Sequence, residues 1–261
     1  MAGLAAPLEV LQYKICPFCG ALRAWLDVNG IDYVTREVNP VTKSQLKTHP
    51  DVAKGYSKVP IAIAQFEAQD GAAPAMQQLN DSFDIMKRLT DEMGAELAAP
   101  MPARGADSEV AAEVAWAYDR LVALLPANIY SSLPQSFEVF KYVDDEPSFG
   151  TTERAALRYG APLMMYVVGG RIAQKRTGGR HKARAVLLDE LDTWLSRLAT
   201  TEGDFRFGKD PTAADAVVFG MLRAMTSMQT LRDVLAARPE LDAWYSAMQQ
   251  RVKNSGPIAS S

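Results

Sequence analysis

A mixed α/β unit of about ninety residues followed by an all-helical remainder is the fold class this sequence predicts. Three observations point there. Short apolar runs alternate with helix-period stretches through the first third of the chain. Both cysteines stand three apart in "YKICPFCG", where one such run meets a proline. Beyond residue 107 only helical stripes remain.

The first run, "LEVLQYK" (Leu8–Lys14), reads as a short strand ending at the cysteines. From Pro17 the period changes, with Phe18, Leu22, Trp25 and Leu26 on one helical face and Asn29-Gly30 as the stop. "DYVTREV" (Asp32–Val38) is β-branched and strand-like, and Asn39-Pro40 breaks it. Lys43–His49 suits a short polar helix. "VPIAIAQF" (Val59–Phe66) is a buried strand opening on a proline, and "AMQQLN" a fourth strand reached through a turn around Asp70-Gly71. "DSFDIMKRL" starts on the cap residues Asp81 and Ser82 and continues as a helix. A CxxC closing the first strand of such a unit is the signature of a thioredoxin-like redox domain. The expected boundaries are residues 1–92 for this domain, 93–107 for an Ala-, Pro- and Gly-rich linker and 108–261 for the helical domain.

In the helical part Val110, Val114, Leu121 and Leu125 share a face, as do Leu187, Leu191, Trp194 and Leu198. Ala214, Val217, Met221 and Met225 form a third stripe, and Leu241, Trp244, Met248 and Val252 a fourth. "DPTAAD" makes Thr212 an N-cap with Asp215 three residues on. "LVALLPANIY" is expected to end a helix at Pro126, with Tyr130 and Phe137 either walling a cleft or packing in the core. "RIAQKRTGGRHKAR" (Arg171–Arg184) holds six Lys/Arg and no acid, and reads as a solvated interhelical loop rather than a lipid-facing one. The sequence carries no internal repeat.

Composition narrows the function. With 28 Lys plus Arg against 31 Asp plus Glu the formal charge is −3, too balanced to offer nucleic acid a global field. No apolar run approaches the ~18–20 residues of a membrane span, and the start "MAGLAAPLEV" lacks a secretory pattern. A cytoplasmic, reducing location is expected, organellar or membrane-associated if a segment precedes this start. Two cysteines are too few for a disulfide scaffold at this length. A structural zinc would have to recruit His49 and His181, far apart in sequence, so no metal site is expected. A redox or nucleophilic thiol is the reading left.

Cys16 stands where a strand delivers it to the N-terminus of a helix beginning with proline, where the missing N–H is harmless. Unpaired N–H groups and the positive end of the helix dipole favour a thiolate there, as at other reactive cysteines. Cys16 is the expected attacking sulfur and Cys19, one turn on, the resolving thiol. Held cis, Pro60 would turn the Val59 backbone toward Cys16, where it could pair with a peptide-like ligand. At a helix start Asp81 and Ser82 suit a ligand's ammonium and carboxylate. A thiol ligand carrying both groups is γ-glutamyl-cysteinyl-glycine, glutathione.

"QYKICPFCGALRAWL", "EVNPV", "KVPIAIAQ", "QQLNDSFDI", "LPANIYSSLPQSFEVFKYV", "FGTTERAALRYGAPLMMYVV" and "DPTAADAVVFGMLRAM" resemble the family of membrane-associated prostaglandin E synthase type 2, over nearly the full length. The resemblance implies a thioredoxin-like (glutaredoxin) domain followed by an all-α glutathione-transferase C-terminal-like domain, in a homodimer. It implies glutathione at the CxxC, contacted by Cys16, Phe18, Val59, Pro60, Asp81 and Ser82, and haem association at the same place. It further implies isomerisation of prostaglandin H2 to prostaglandin E2, with Tyr13 and Cys16 on the family's catalytic tyrosine and cysteine. The chain starts without a hydrophobic anchor and its segment Met93–Asp107 is shorter than in the animal members, so neither membrane association nor the lipid substrate is carried over directly. Three activities stay open: this isomerase acting on a small hydrophobic or peroxide substrate, a glutaredoxin-type thiol–disulfide oxidoreductase or glutathione transferase using the same Cys16/Cys19 pair, and a haem or iron–sulfur carrier.

Overall fold

In a computed structural model, which describes residues 3–67 and 76–253, the N-terminal part forms a four-stranded sheet with helices on its faces. The turn expected around Asp70-Gly71 lies outside the described residues. The elements run β1 (Leu8–Gln12), α1 (Pro17–Val28), β2 (Tyr33–Glu37), α2 (Ser44–Thr48), β3 (Ile61–Gln65), β4 (Met76–Asn80) and α3 (Ser82–Met93). Strand order is β2-β1-β3-β4, with β1 and β2 parallel and the other pairings antiparallel. The parallel pair needs a crossover, which α1 supplies. β1 and β3 lie centrally, so their residues are almost all buried, whereas the edge strand β4 is half exposed. This is the thioredoxin-like arrangement, and it places the loop after β1, the start of β3 and the start of α3 at one end of the sheet.

The remainder is helical: α4 (Glu109–Trp116), α5 (Val122–Ile129), α6 (Leu133–Val139), α7 (Thr151–Ala155), α8 (Ala161–Thr177), α9 (Arg180–Leu198), α10 (Ala213–Arg223), α11 (Gln229–Ala237) and α12 (Pro239–Lys253). Single π turns, Ala117–Leu121 and Ala156–Gly160, join α4 to α5 and α7 to α8. The core of this half holds Trp194 stacked on Trp116, ring centres 5.8 Å apart, and set edge-on to Trp244. Buried Asp215 serves four donors: the Thr212 N–H that completes the capping box, the Thr212 hydroxyl, the Arg206 N–H and the Trp244 indole. The Arg206 guanidinium pairs with buried Glu113 at 2.9 Å.

Two expectations are corrected. The helix does not stop at Pro126 but continues to Ile129 with the proline inside it. Proline there removes one rung of the ladder, and the π turn just upstream shows that the hydrogen-bond register is already irregular. The basic run is not a loop: Arg171–Thr177 ends α8 and Arg180–Arg184 begins α9, with Gly178 and Gly179, both at positive φ, making the whole connection.

The two halves meet through α1, buried on nearly all sides from Cys19 onward. It crosses α10 at Gly20 and Gly220, so closely that a Cβ on Gly20 would lie 2.2 Å from the Gly220 carbonyl oxygen. Asp27, buried in α1, accepts from the Tyr33 hydroxyl at 2.8 Å and pairs with Arg223 of α10 at 2.6 Å. The segment after α3 is fastened down: the Trp25 indole donates to the Ala99 carbonyl at 2.7 Å and the Met101 N–H to the Thr90 hydroxyl at 2.9 Å.

Candidate active site

Chain geometry fixes the position of Cys16. β1 ends at Gln12, the loop Tyr13–Ile15 turns with the Cys16 N–H bonded to the Tyr13 carbonyl at 3.0 Å, and α1 opens on Pro17. Cys16 is the N-cap, extended at φ −82° and ψ 122°, and its carbonyl receives the Gly20 N–H at 2.9 Å. Its sulfur is half-buried, while Cys19 faces inward with no exposure. The thiol of Cys19 donates toward Cys16 and holds its pKa below the ordinary range, against the opposing effect of burial. The N–H groups of Cys19 and Phe18 and the charge of Arg23 act the same way. Burial first, then the neighbouring Cys16, pushes Cys19 well up. The pair is therefore split in acidity, Cys16 the more readily ionised and Cys19 the less.

Cys16 lies in a cleft of about 370 Å³ together with Tyr13, Phe18, Val59, Pro60, Asp81 and Ser82. Of the residues named from the sequence as catalytic or glutathione-contacting, all but inward-facing Cys19 line this one cleft. The Val59–Pro60 peptide is cis, and among the described residues the Val59 backbone makes no hydrogen bond. Asp81 caps α3 at φ +68°, accepting the Phe83 N–H at 3.0 Å, and its exposed carboxylate also meets Arg104 at 3.3 Å. The Ser82 hydroxyl is not open to a ligand as expected, because it bonds the Tyr118 hydroxyl of the helical half at 2.7 Å. The Ser82 N–H, at the start of α3, makes no hydrogen bond among the described residues. Burial, then Cys19 and Cys16, pushes the Tyr13 hydroxyl up to about 12, so at neutral pH it keeps its proton.

The cleft also holds residues the sequence reading missed: Lys43, Tyr56, Ser57 and Lys58. The Lys43 ammonium donates to the Ser57 carbonyl at 2.5 Å, closing the α2 loop over the cleft. For Tyr56, Ser57 and Lys58 the one signal was position, since "YSK" runs directly into Val59-Pro60; Lys43, before α2, had none. Tyr118 was missed too; its ring packs 5.9 Å from Phe18 and carries the helical half to the edge of the site. Tyr130 is buried in the core and does not line the cleft. His49 pairs with Glu9 at 3.0 Å, away from the cysteines. For haem, the cleft offers Cys16, Tyr13 and Tyr56 as side chains of iron-ligating type. Among the described residues no cluster of three or more His, Cys, Asp or Glu is placed to hold a metal ion.

Residues 152–247 match the family model for the glutathione S-transferase C-terminal domain. Prostaglandin E synthase 2 of Mus musculus is 27% identical across an alignment of 289 residues, covering 96% of this chain and 72% of that protein. The chain resembles prostaglandin E synthase 2. The Danio rerio prostaglandin E synthase 2 matches similarly, 26% identical over 95% of the chain and 71% of its own length. Among solved structures, glutathione transferase GSTFuA2 from Phanerochaete chrysosporium superposes with a TM-score of 0.61 at 15% identity, over 97% of this chain and all of that one. Maleylacetoacetate isomerase from Anaeromyxobacter dehalogenans 2CP-1, solved with GSH in its active site, gives 0.51 at 18% identity, over 99% and 100% of the two chains. These likenesses fix the architecture: a thioredoxin-like domain followed by an all-α domain of the glutathione-transferase C-terminal kind.

Proposed function

We propose that this chain is an enzyme of the glutathione-dependent isomerase and transferase class, with Cys16 as its reactive thiolate. One observation supports the reading: a thiol at the start of α1, whose pKa is held down by Cys19 and the first-turn N–H groups, forms part of a cleft bounded by the unpaired Val59 backbone and by Asp81-Ser82. Each group of glutathione has a counterpart there. The Val59 N–H and C=O suit its cysteinyl backbone as an added strand would. The Asp81 carboxylate suits its ammonium and the free Ser82 N–H the adjacent carboxylate. Lys43 and Lys58 offer cations for the glycyl end. The two relatives named prostaglandin E synthase 2 and the isomerase solved with GSH support the assignment.

For prostaglandin H2 as substrate, the Cys16 thiolate attacks one peroxide oxygen and the O–O bond breaks. The other oxygen leaves as an alkoxide and takes the proton held by Tyr13. The Tyr13 phenolate so formed takes the carbon-bound proton beside the sulfur-linked oxygen as the S–O bond breaks, which forms the ketone, restores the tyrosine and releases Cys16 as thiolate, leaving the substrate isomerised with no net redox change. The second reading, thiol–disulfide exchange, is favoured by the contact between the two cysteines: Cys19, buried one turn on, is placed to displace a partner from a mixed disulfide on Cys16. The test is to assay conversion of prostaglandin H2 and reduction of a glutathionylated disulfide side by side, in the wild type, Cys16→Ser and Cys19→Ser. Isomerisation is expected to vanish in Cys16→Ser with the melting temperature nearly unchanged, and to persist in Cys19→Ser. Turnover retained by Cys16→Ser overturns the proposal.

A further inference from the structure

A second cavity, also of about 370 Å³, opens on the other side of the loop that carries Cys16. Lys14 and Ile15 of that loop, Arg23 of α1, Tyr142, Arg223 at the end of α10, and Thr226 and Ser227 just beyond it are among its lining. Its charge is one-sided, with three cations and no carboxylate in the lining. Among the described residues only Arg223 of the three has an ion pair, with Asp27 at 2.6 Å. Arg23, half-buried, donates one bond to the Lys14 carbonyl at 3.1 Å; its Nε has no hydrogen-bond partner, and among the described residues it forms no ion pair. Lys14 likewise has no ion pair among the described residues. Glu37, which does not line the cavity, turns its carboxyl to the Lys14 N–H at 2.8 Å, beside the Tyr142 hydroxyl. A half-buried guanidinium with no ion pair among the described residues, and only the more distant charge of Glu37 to offset it, gains from any closer counter-charge. Burial first, then the nearby Arg223, pushes Arg23 downward, against the opposing pull of Cys19, Tyr33 and Glu37.

We propose that this cavity is a binding site for a small oxyanion, the phosphate or carboxylate group of a low-molecular-weight compound, held by Arg23, Lys14 and Arg223. The Thr226 and Ser227 hydroxyls border the same space and suit the remaining oxygens. The site is separate from the glutathione cleft, since none of its lining residues lines the other. It reports to the thiol all the same. Arg23 is one of the charges that favour the Cys16 thiolate, so an anion on Arg23 makes that thiolate harder to form. The site would thus set the reactivity of Cys16 from behind, whichever reaction Cys16 performs.

The experiment is the pH profile of Cys16 alkylation by iodoacetamide, Cys19 being fully buried, at constant ionic strength. Chloride, inorganic phosphate or citrate makes up the salt, with binding of the same anions followed by calorimetry. Phosphate, citrate or both are expected to bind with one site per chain and to raise the alkylation midpoint by about half a pH unit, roughly a threefold loss of thiolate below it. The arm that acts identifies the headgroup. Arg23→Gln should raise the midpoint by itself and abolish the anion response. Lys14→Gln, an exposed change, should weaken binding severalfold while leaving the chloride midpoint in place. Failure of both anions to bind, or a response that survives in Arg23→Gln or equals that of chloride, overturns the proposal.

Discussion

Cys16 and Cys19 carry the same side chain and meet opposite environments. The first accepts hydrogen bonds at a helix start, and the second donates one from a site without water. Replacing Cys19 by Ala removes the largest stabiliser of the Cys16 thiolate, so the midpoint of Cys16 alkylation should move up, read from its rate against pH. Glu37 shows the reverse pattern. Burial lifts its carboxyl from 4.5 to about 7, although the Lys14 N–H and Arg23 draw it down. A raised folded-state pKa means that folding tightens proton binding. The stability this confers is whole below pH 4.5 and drains away as the pH climbs through about 7. The shift corresponds to a loss on the order of 3 kcal/mol. Glu37→Gln should escape that loss, melting above the wild type at pH 8 and showing a flatter profile of melting temperature between pH 4.5 and 7.

At the scale of elements, the crossing of α1 and α10 depends on two residues having no side chain. Gly20 is otherwise an ordinary helical position, so Ala would help an isolated helix. Here its Cβ would meet the Gly220 carbonyl oxygen at 2.2 Å, and Gly220 in turn the Gly20 carbonyl oxygen at 2.3 Å. Backbone cannot step aside as a side chain does. Gly20→Ala should therefore cost about 3 kcal/mol, at the upper end of overpacking penalties, measured by urea unfolding. Because α1 also carries the cysteines at its first turn, the same substitution should displace Cys16 relative to Val59.

Over the whole molecule, the helical half secures the element on which the chemistry stands. Asp27 sits at the joint, holding Tyr33 of the sheet and Arg223 of α10 with one carboxylate. Asp27→Ala leaves a guanidinium without its partner at a buried seam. The expected cost is about 3 kcal/mol or more, seen as a lowered melting temperature, with thiol reactivity falling in parallel as α1 loosens. A purely local role for Asp27 would lower stability without touching the alkylation rate of Cys16. Tyr118 reaches the site from the other direction, bonding Ser82 and packing on Phe18, so the cleft is completed by both halves.

What the sequence determined by itself is what local chemistry dictates. The strand-to-CxxC-to-helix passage around Cys16 and Pro17, the cap at Asp81, and the capping box of Thr212 and Asp215 follow from short-range periodicity, from proline geometry and from side chains that bond their own backbone. Tertiary structure decided the rest. The basic run between Arg171 and Arg184 became two helix ends because packing outweighs polarity, and Pro126 stayed inside α5 because buried neighbours hold that turn. Lys43, Tyr56 and Lys58 joined the cleft, and Lys14, Arg23 and Arg223 converged on one cavity. No periodicity records that the last three meet, since Arg223 comes from the other end of the chain. Such convergence is fixed only when two helices approach closely enough to exclude every atom beyond a glycine's hydrogen.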